Sequence, residues 1–181
     1  MKELTLPLAQ EDISNLKAGD SVSLSGEIYT ARDAAHKRLY EAISNGKPLP
    51  IDLKGAVIYY TGPCPTPPGR PINSCGPTTS KRMNAYAPLL YDKGVKCVIG
   101  KGQVSSEVKD AIIRNKCIYF CATGGLGALI ALSVISAELI AYEDLLSEAI
   151  YKLTVKNMPL TVAIDSTGKD IFEIGPEQYK K

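Results

Sequence analysis

KGAVIYYTGPCPTPPGRPINSCGPTTSKRM, residues 54–83, is the stretch on which the fold turns. Its opening, Lys54–Thr61, is β-branched and aromatic and reads as a buried strand. Residues 62–77 then hold six of the chain's 12 prolines and three of its glycines. Proline fixes φ and removes an N–H, so this stretch is neither helix nor central strand but a long, stiff loop. Long ordered loops more often carry function than decoration. Downstream, Thr78 to about Tyr91 has helical composition and stops near Gly94.

The same alternation extends outward. Val95–Gly100 reads as strand, Val104–Asn115 as helix, Cys117–Cys121 as strand, and Gly124 to about Ile135 as a buried helix. Upstream lie a short helix over Glu11–Leu16, an alternating strand over Ser21–Tyr29, and a helix over Ala31–Ser44 ending at Asn45-Gly46. Toward the carboxyl end, Glu138–Glu143, Ala149–Val155, Leu160–Ile164 and Asp170–Glu173 are β candidates. A βα-alternating middle with β-rich ends predicts an α/β fold with a mixed sheet, spanning 1–181 as a single domain.

With 45% hydrophobic and 22% charged residues, the 181-residue chain can bury a full core. Its net charge of +2 argues against a nucleic-acid or membrane-surface protein, which usually carries a basic excess. Five cysteines without a CxxC pair suit a reducing compartment. The amino terminus shows no apolar signal region, and the apolar run Leu126–Ile140 is broken by Ser133, Ser136 and Glu138, short of the ~20 residues a membrane span needs. The expectation is a cytoplasmic protein.

Gly76-Pro77-Thr78-Thr79-Ser80-Lys81-Arg82-Met83 carries the most chemistry. In the predicted helix, Thr78 or Thr79 caps a first turn that also holds Lys81 and Arg82. Cations there meet the positive end of the helix dipole, at a cost of about 0.3–1 kcal/mol that a bound anion would relieve. Thr78 and Arg82, four apart, can face one side. The plain alternative is an ordinary cap with solvated basic residues. Ile99-Gly100-Lys101-Gly102 puts a lysine at the carboxyl end of a strand, where α/β sheets bind ligands, though it is not a P-loop. Arg32 and His36 share a helix face by i,i+4 spacing. His36 is the only histidine, which excludes a multi-histidine metal site. Cys97 and Cys117 sit in apolar β runs and Cys64 and Cys75 flank the proline loop, so a cluster held by this chain alone is not expected. Gly124-Gly125-Leu126-Gly127 lacks the dinucleotide spacing.

Together, TARDAAHKR (30–38), YYTGP (59–63), GPTTSKRM (76–83), IGKG (99–102), the Gly124-Gly125 pair and MPLTVAIDSTG (158–168) make this chain resemble the β subunit of class I fumarate hydratase. The carboxy-terminal domain of single-chain class I fumarases and the β subunit of L-tartrate dehydratase are similar. Asn84 departs from a pattern that has aspartate there. The resemblance implies a swivelling β/β/α three-layer domain and a partner α subunit, in an α2β2 heterotetramer. It implies a 4Fe–4S cluster held by that partner and none bound by this chain, with an open iron acting as a Lewis acid. The implied reaction is reversible dehydration of (S)-malate to fumarate. Carried over from the family, Thr78 is the base, and Arg32, His36, Thr79, Arg82 and Lys101 bind the dicarboxylate substrate. Competing expectations are a tartrate dehydratase subunit and a non-catalytic dicarboxylate-binding module; a phosphocarrier using His36 has no flanking support.

Overall fold

A computed structural model describes residues 1–177, 179 and 180. Seven strands form one mixed sheet: β1 (Lys2–Thr5), β2 (Ser21–Thr30), β3 (Val57–Tyr59), β4 (Cys97–Gly100), β5 (Ile118–Cys121), β6 (Val134–Ala141) and β7 (Ile150–Ile164). The strands β2, β3, β4 and β5 run parallel in that order. Antiparallel to them, β7 pairs with β5 on one edge and with β2 along the other, closing a five-stranded ring. Outside the ring, β1 lies parallel to β2 and β6 antiparallel to the first half of β7.

The period-2 alternation of strand side chains divides the core in two. Val57, Tyr59, Cys97, Ile99, Ile118 and Phe120 point inward and fill the ring with residues of β2 and β7. Their sequence neighbours Ile58, Tyr60, Val98 and Tyr119 point outward. Against that outer face pack α2 (Asp33–Ser44), α3 (Ala87–Asp92) and α4 (Ser106–Asn115), through Ala35, Leu39, Leu90, Ala111 and Ile112. The other α-helices among the described residues are α1 (Gln10–Asn15), α5 (Gly127–Ala131) and α6 (Ile171–Glu177).

The mixed α/β class is as expected, and the sheet's closure into a ring goes beyond it. Several boundaries differ, each for a local reason. The helix predicted from Thr78 does not start there: Pro77 and Thr79 form isolated bridges with Thr61 and Lys101, a 3-10 turn covers Ser80–Met83, and α3 begins only at Ala87 with a proline in its first turn. The helix predicted over Gly124–Ile135 shrinks to α5, because Val134 onward pairs with β7. The strand candidates Ala149–Val155 and Leu160–Ile164 are one 15-residue strand, carried across its bend by Asn157 at φ 54°. Asp170–Glu173 is not a strand. Asp170 makes a single bridge to Ile164, and its carboxylate accepts from the Phe172 N–H at the start of α6. The amino-terminal strand β1 had no clear alternation to announce it.

Candidate active site

Every expected site residue except His36 lies beyond the carboxyl end of a parallel strand, where neighbouring strands leave backbone groups unpaired. The arrangement begins with a wedge. At the exit of β3, Tyr60 N–H still donates to Ile99 O (2.8 Å), and there the β3–β4 pairing stops. The returning end of the proline loop enters the gap. Thr78 N–H donates to Tyr60 O (2.7 Å) on one side, and Ser80 N–H donates to Lys101 O (2.9 Å) on the other. Thr61 Oγ1 donates to Gly76 O (2.8 Å), and the Tyr59 hydroxyl, from inside the ring, donates to Cys75 O. Thr78 and Thr79 are thus held by backbone pairing rather than by a helix start, and Thr79 makes no side-chain cap. The dipole argument from sequence does not apply.

Ser80 locks this wedge to Lys101. Its buried hydroxyl accepts from Lys101 N–H (3.0 Å) and lies 2.8 Å from the Tyr119 hydroxyl, which donates to Gly102 O (2.7 Å). Since Tyr119 spends its only proton on Gly102, Ser80 Oγ is the donor to Tyr119. Burial pushes the Tyr119 phenol far up, so the hydroxyl stays protonated. The Lys101 side chain runs across Gly124, where an added Cβ would lie 2.8 Å from its Cδ. No ion pair among the described residues involves Lys101.

The arginines are organised by carboxylates. Arg32 precedes α2 and passes over Gly62, where a Cβ would lie 2.8 Å from its Cδ. Its Nε donates to Asp33 (3.3 Å), and its Nη2 lies 3.2 Å from Glu148. The other oxygen of Glu148 accepts from Ala34 N–H (2.7 Å). Arg82 Nε donates to the second Asp33 oxygen (2.6 Å), so Asp33 bridges the two guanidiniums. Burial pushes the Asp33 carboxyl up, but its own backbone N–H and the Arg82 and Arg32 guanidiniums outweigh that and hold it below the usual carboxylate range. Because Asp33 takes only the Nε of Arg82, the terminal nitrogens remain as a fork suited to another carboxylate.

His36 is not on this surface. Its residue exposure is 0%, and Nδ1 lies 3.2 Å from Arg32 O. A carbonyl only accepts, so Nδ1 carries the proton and Nε2 is a bare lone pair without a partner. The ring stands edge-on to Tyr60, 4.9 Å between centroids, and burial pushes its pKa down to about 4. The expected direct contact with a ligand gives way here to a hold on the Arg32 backbone.

Asp33, Ser80, Tyr119 and Glu148 escaped the sequence reading as site residues. Asp33 and Ser80 lie inside the quoted motifs, so adjacency could have found them. Tyr119 and Glu148 come from distant segments, and only the fold brings them in. Among the described residues no group of three or more His, Cys, Asp or Glu is placed to hold a metal ion. The cysteines are dispersed, with Cys75 and Cys117 pushed up to about 11 by burial, so these thiols do not fit a cluster.

Ring and site together define a mixed α/β barrel domain with a cationic rim at its parallel strand ends. The family model described as Fumarase C-terminus matches residues 2–175, and the chain belongs to that family. It is 39% identical over 175 residues to "Fumarate hydratase class I, anaerobic" of Escherichia coli, covering 96% of this chain and 31% of that one. It is 34% identical over 165 residues to "Fumarate hydratase 2" of Leishmania major, covering 90% and 29%. With "L(+)-tartrate dehydratase subunit beta" of Escherichia coli it shares 33% identity over 176 residues, covering 94% and 86%. The chain therefore spans about a third of the fumarate hydratases it matches, but most of the tartrate dehydratase subunit.

Proposed function

We propose that this chain is the β subunit of a two-subunit iron–sulfur fumarate hydratase, a hydro-lyase interconverting (S)-malate and fumarate at a site shared with an α subunit. The observation that carries it is the rim itself. Arg82 keeps its terminal guanidinium nitrogens clear of Asp33, Lys101 makes no ion pair among the described residues, and backbone pairing holds Thr78 in the wedge beside them. A dicarboxylate dianion needs cations at both ends, and the preset Arg82 fork suits a bidentate carboxylate. Thr78 is the group assigned to take the C3 proton, with Thr79 beside it as a substrate contact. A threonine hydroxyl is a poor base unless cations stabilise its alkoxide, and Lys101 and Arg82 are the cations at hand. Arg32 binds the substrate, and His36 positions it through its backbone.

The dispersed thiols do not hold the 4Fe–4S cluster, which this reading assigns to the α subunit of an α2β2 assembly. The five free cysteines favour a reducing, cytoplasmic setting. Swivelling of the ring domain against the α subunit belongs to the same reading. A second reading, L-tartrate dehydratase β subunit, is favoured by the match running over 86% of that relative; a further hydroxyl on the substrate would then need its own partner.

The test is anaerobic co-expression with the cluster-bearing chain of the same organism, with malate and L-tartrate assayed in parallel. Activity on malate that needs both chains is expected, and Thr78→Ala lowers kcat by roughly 10²–10⁴. Turnover of tartrate alone would change the substrate. A cluster-loaded complex that turns over neither leaves only a dicarboxylate-binding module.

A further inference from the structure

The side of the molecule carrying α5, β6 and the proline loop is unusually apolar for an exposed surface. Leu129, Leu132, Ile135 and Leu146 are 54%, 80%, 58% and 75% exposed. Between the proline loop and the ring runs a groove of about 510 Å³, lined by Pro65, Ile72, Ala137, Leu146 and Tyr151 among others. On its outer side β6 is an edge strand. Leu146 adds a second, independent sign: its backbone sits at φ 52°, ψ −114°, a region disfavoured for a branched side chain, and that side chain projects into water. A monomer gains nothing from either placement, whereas a docked partner covers the leucine.

This face is continuous with the site at both ends. The turn leading into α5 carries Gly124, on which Lys101 lies, and α5 itself opens with Gly127, which packs against Gly76. The segment after Leu146 carries Ser147, whose carbonyl packs at Gly62, and Glu148, which holds Arg32. Whatever covers the apolar face therefore also reaches the rim. We infer that this face docks the cluster-bearing chain, seating an apolar segment of it in the groove beside Leu146 and closing the rim of Arg32 and Lys101. The inference rests on the reading of the chain as a β subunit. The alternative occupant, a second copy, would bring another set of unneutralised lysines, Lys81 and Lys101, to the same seam.

Two substitutions test it at positions outside both the core and the site, Leu132→Asp and Leu146→Asp. The tagged chain is co-expressed anaerobically with the cluster-bearing chain, and association is read by co-purification and by titration of the separate chains. Wild type is expected to co-elute as a complex. Each variant is expected to raise Kd at least tenfold while its thermal melt and circular dichroism stay those of wild type. Variants that associate as well as wild type overturn this face as the docking site and leave the β-subunit reading standing. If wild type never pairs with the cluster-bearing chain, the β-subunit reading fails and the inference with it. If the chain alone is a dimer that Leu132→Asp converts to a monomer, the face belongs to a second copy and the inference is overturned.

Discussion

His36 is the residue at which a ligand-like sequence signal turns into an internal one. Its i,i+4 spacing from Arg32 follows from the helix, but α2 turns the imidazole inward against Tyr60, and its proton goes to the Arg32 carbonyl. With a folded pKa of about 4 against an unfolded value near 6.5, the folded state resists protonation while the unfolded state accepts it. The stability His36 protects is therefore complete above pH ~6.5. It drains away as pH falls toward 4, by about 3 kcal/mol in all. Urea melts between pH 7 and pH 4 should show wild type losing stability faster than His36→Asn by close to one proton, about 1.4 kcal/mol per pH unit. Equal slopes would mean that the ring is already hydrated or charged in the folded state. Asp33 titrates in the same sense. Its carboxylate, held below its usual range against burial by its own backbone N–H and the two arginines, supports them above its ordinary pKa, and that support is lost as pH falls below it.

At the scale of elements, the wedge of residues 77–80 between the exits of β3 and β4 sets how closely Thr78 and Lys101 are tied. Gly100 makes it possible, because a Cβ there would lie 2.0 Å from Ser80 Oγ and 3.1 Å from the Tyr60 ring. Gly100→Ala should cost about 1–3 kcal/mol of overpacking, a fall in Tm on the order of 3–10 °C. Adding Ser80→Ala removes the clashing oxygen, and the pair should recover much of the Tm without recovering activity, since Lys101 N–H has lost its acceptor. Recovery of both would show that Ser80 only fills space. Much of this region was legible beforehand. The strands over Val95–Gly100 and Cys117–Cys121 announced themselves by apolar runs, the loop by its prolines, and the site by GPTTSKRM and IGKG. The helix from Thr78 did not survive, because composition reports what a segment prefers alone while Tyr60 and Lys101 offer it strand partners. The same holds for Val134 and Ile135, helical in pattern until β7 claims them. Closure of the ring could not be read at all, since it depends on one long strand serving two edges, β2 and β5, that lie far apart in sequence.

On the scale of the whole molecule, the rim is open. Thr79, Lys81 and Arg82 are exposed, and both arginines already neutralise Asp33 or Glu148. Exposed charge contacts contribute at most about 1 kcal/mol each and are screened by salt. The isolated chain should therefore bind malate or tartrate with a Kd on the order of 1 mM or weaker, and more weakly still as salt rises. Calorimetry or chemical-shift titration of the lone chain reads this directly. Micromolar, salt-insensitive binding would mean that this rim is a complete pocket by itself.

The ring closes with β7, and that has a consequence during synthesis. The residues of the rim up to Gly124 leave the ribosome first, on four parallel strands whose outer members, β2 and β5, both still lack a neighbour. Only when Ile150–Ile164 emerges can one strand satisfy both. Until then the nascent chain exposes two unpaired edges and an uncovered barrel interior, the form in which other chains can add to it. β7 thus satisfies both edges in one step, and the interval before it emerges is when those edges are most exposed to misassembly.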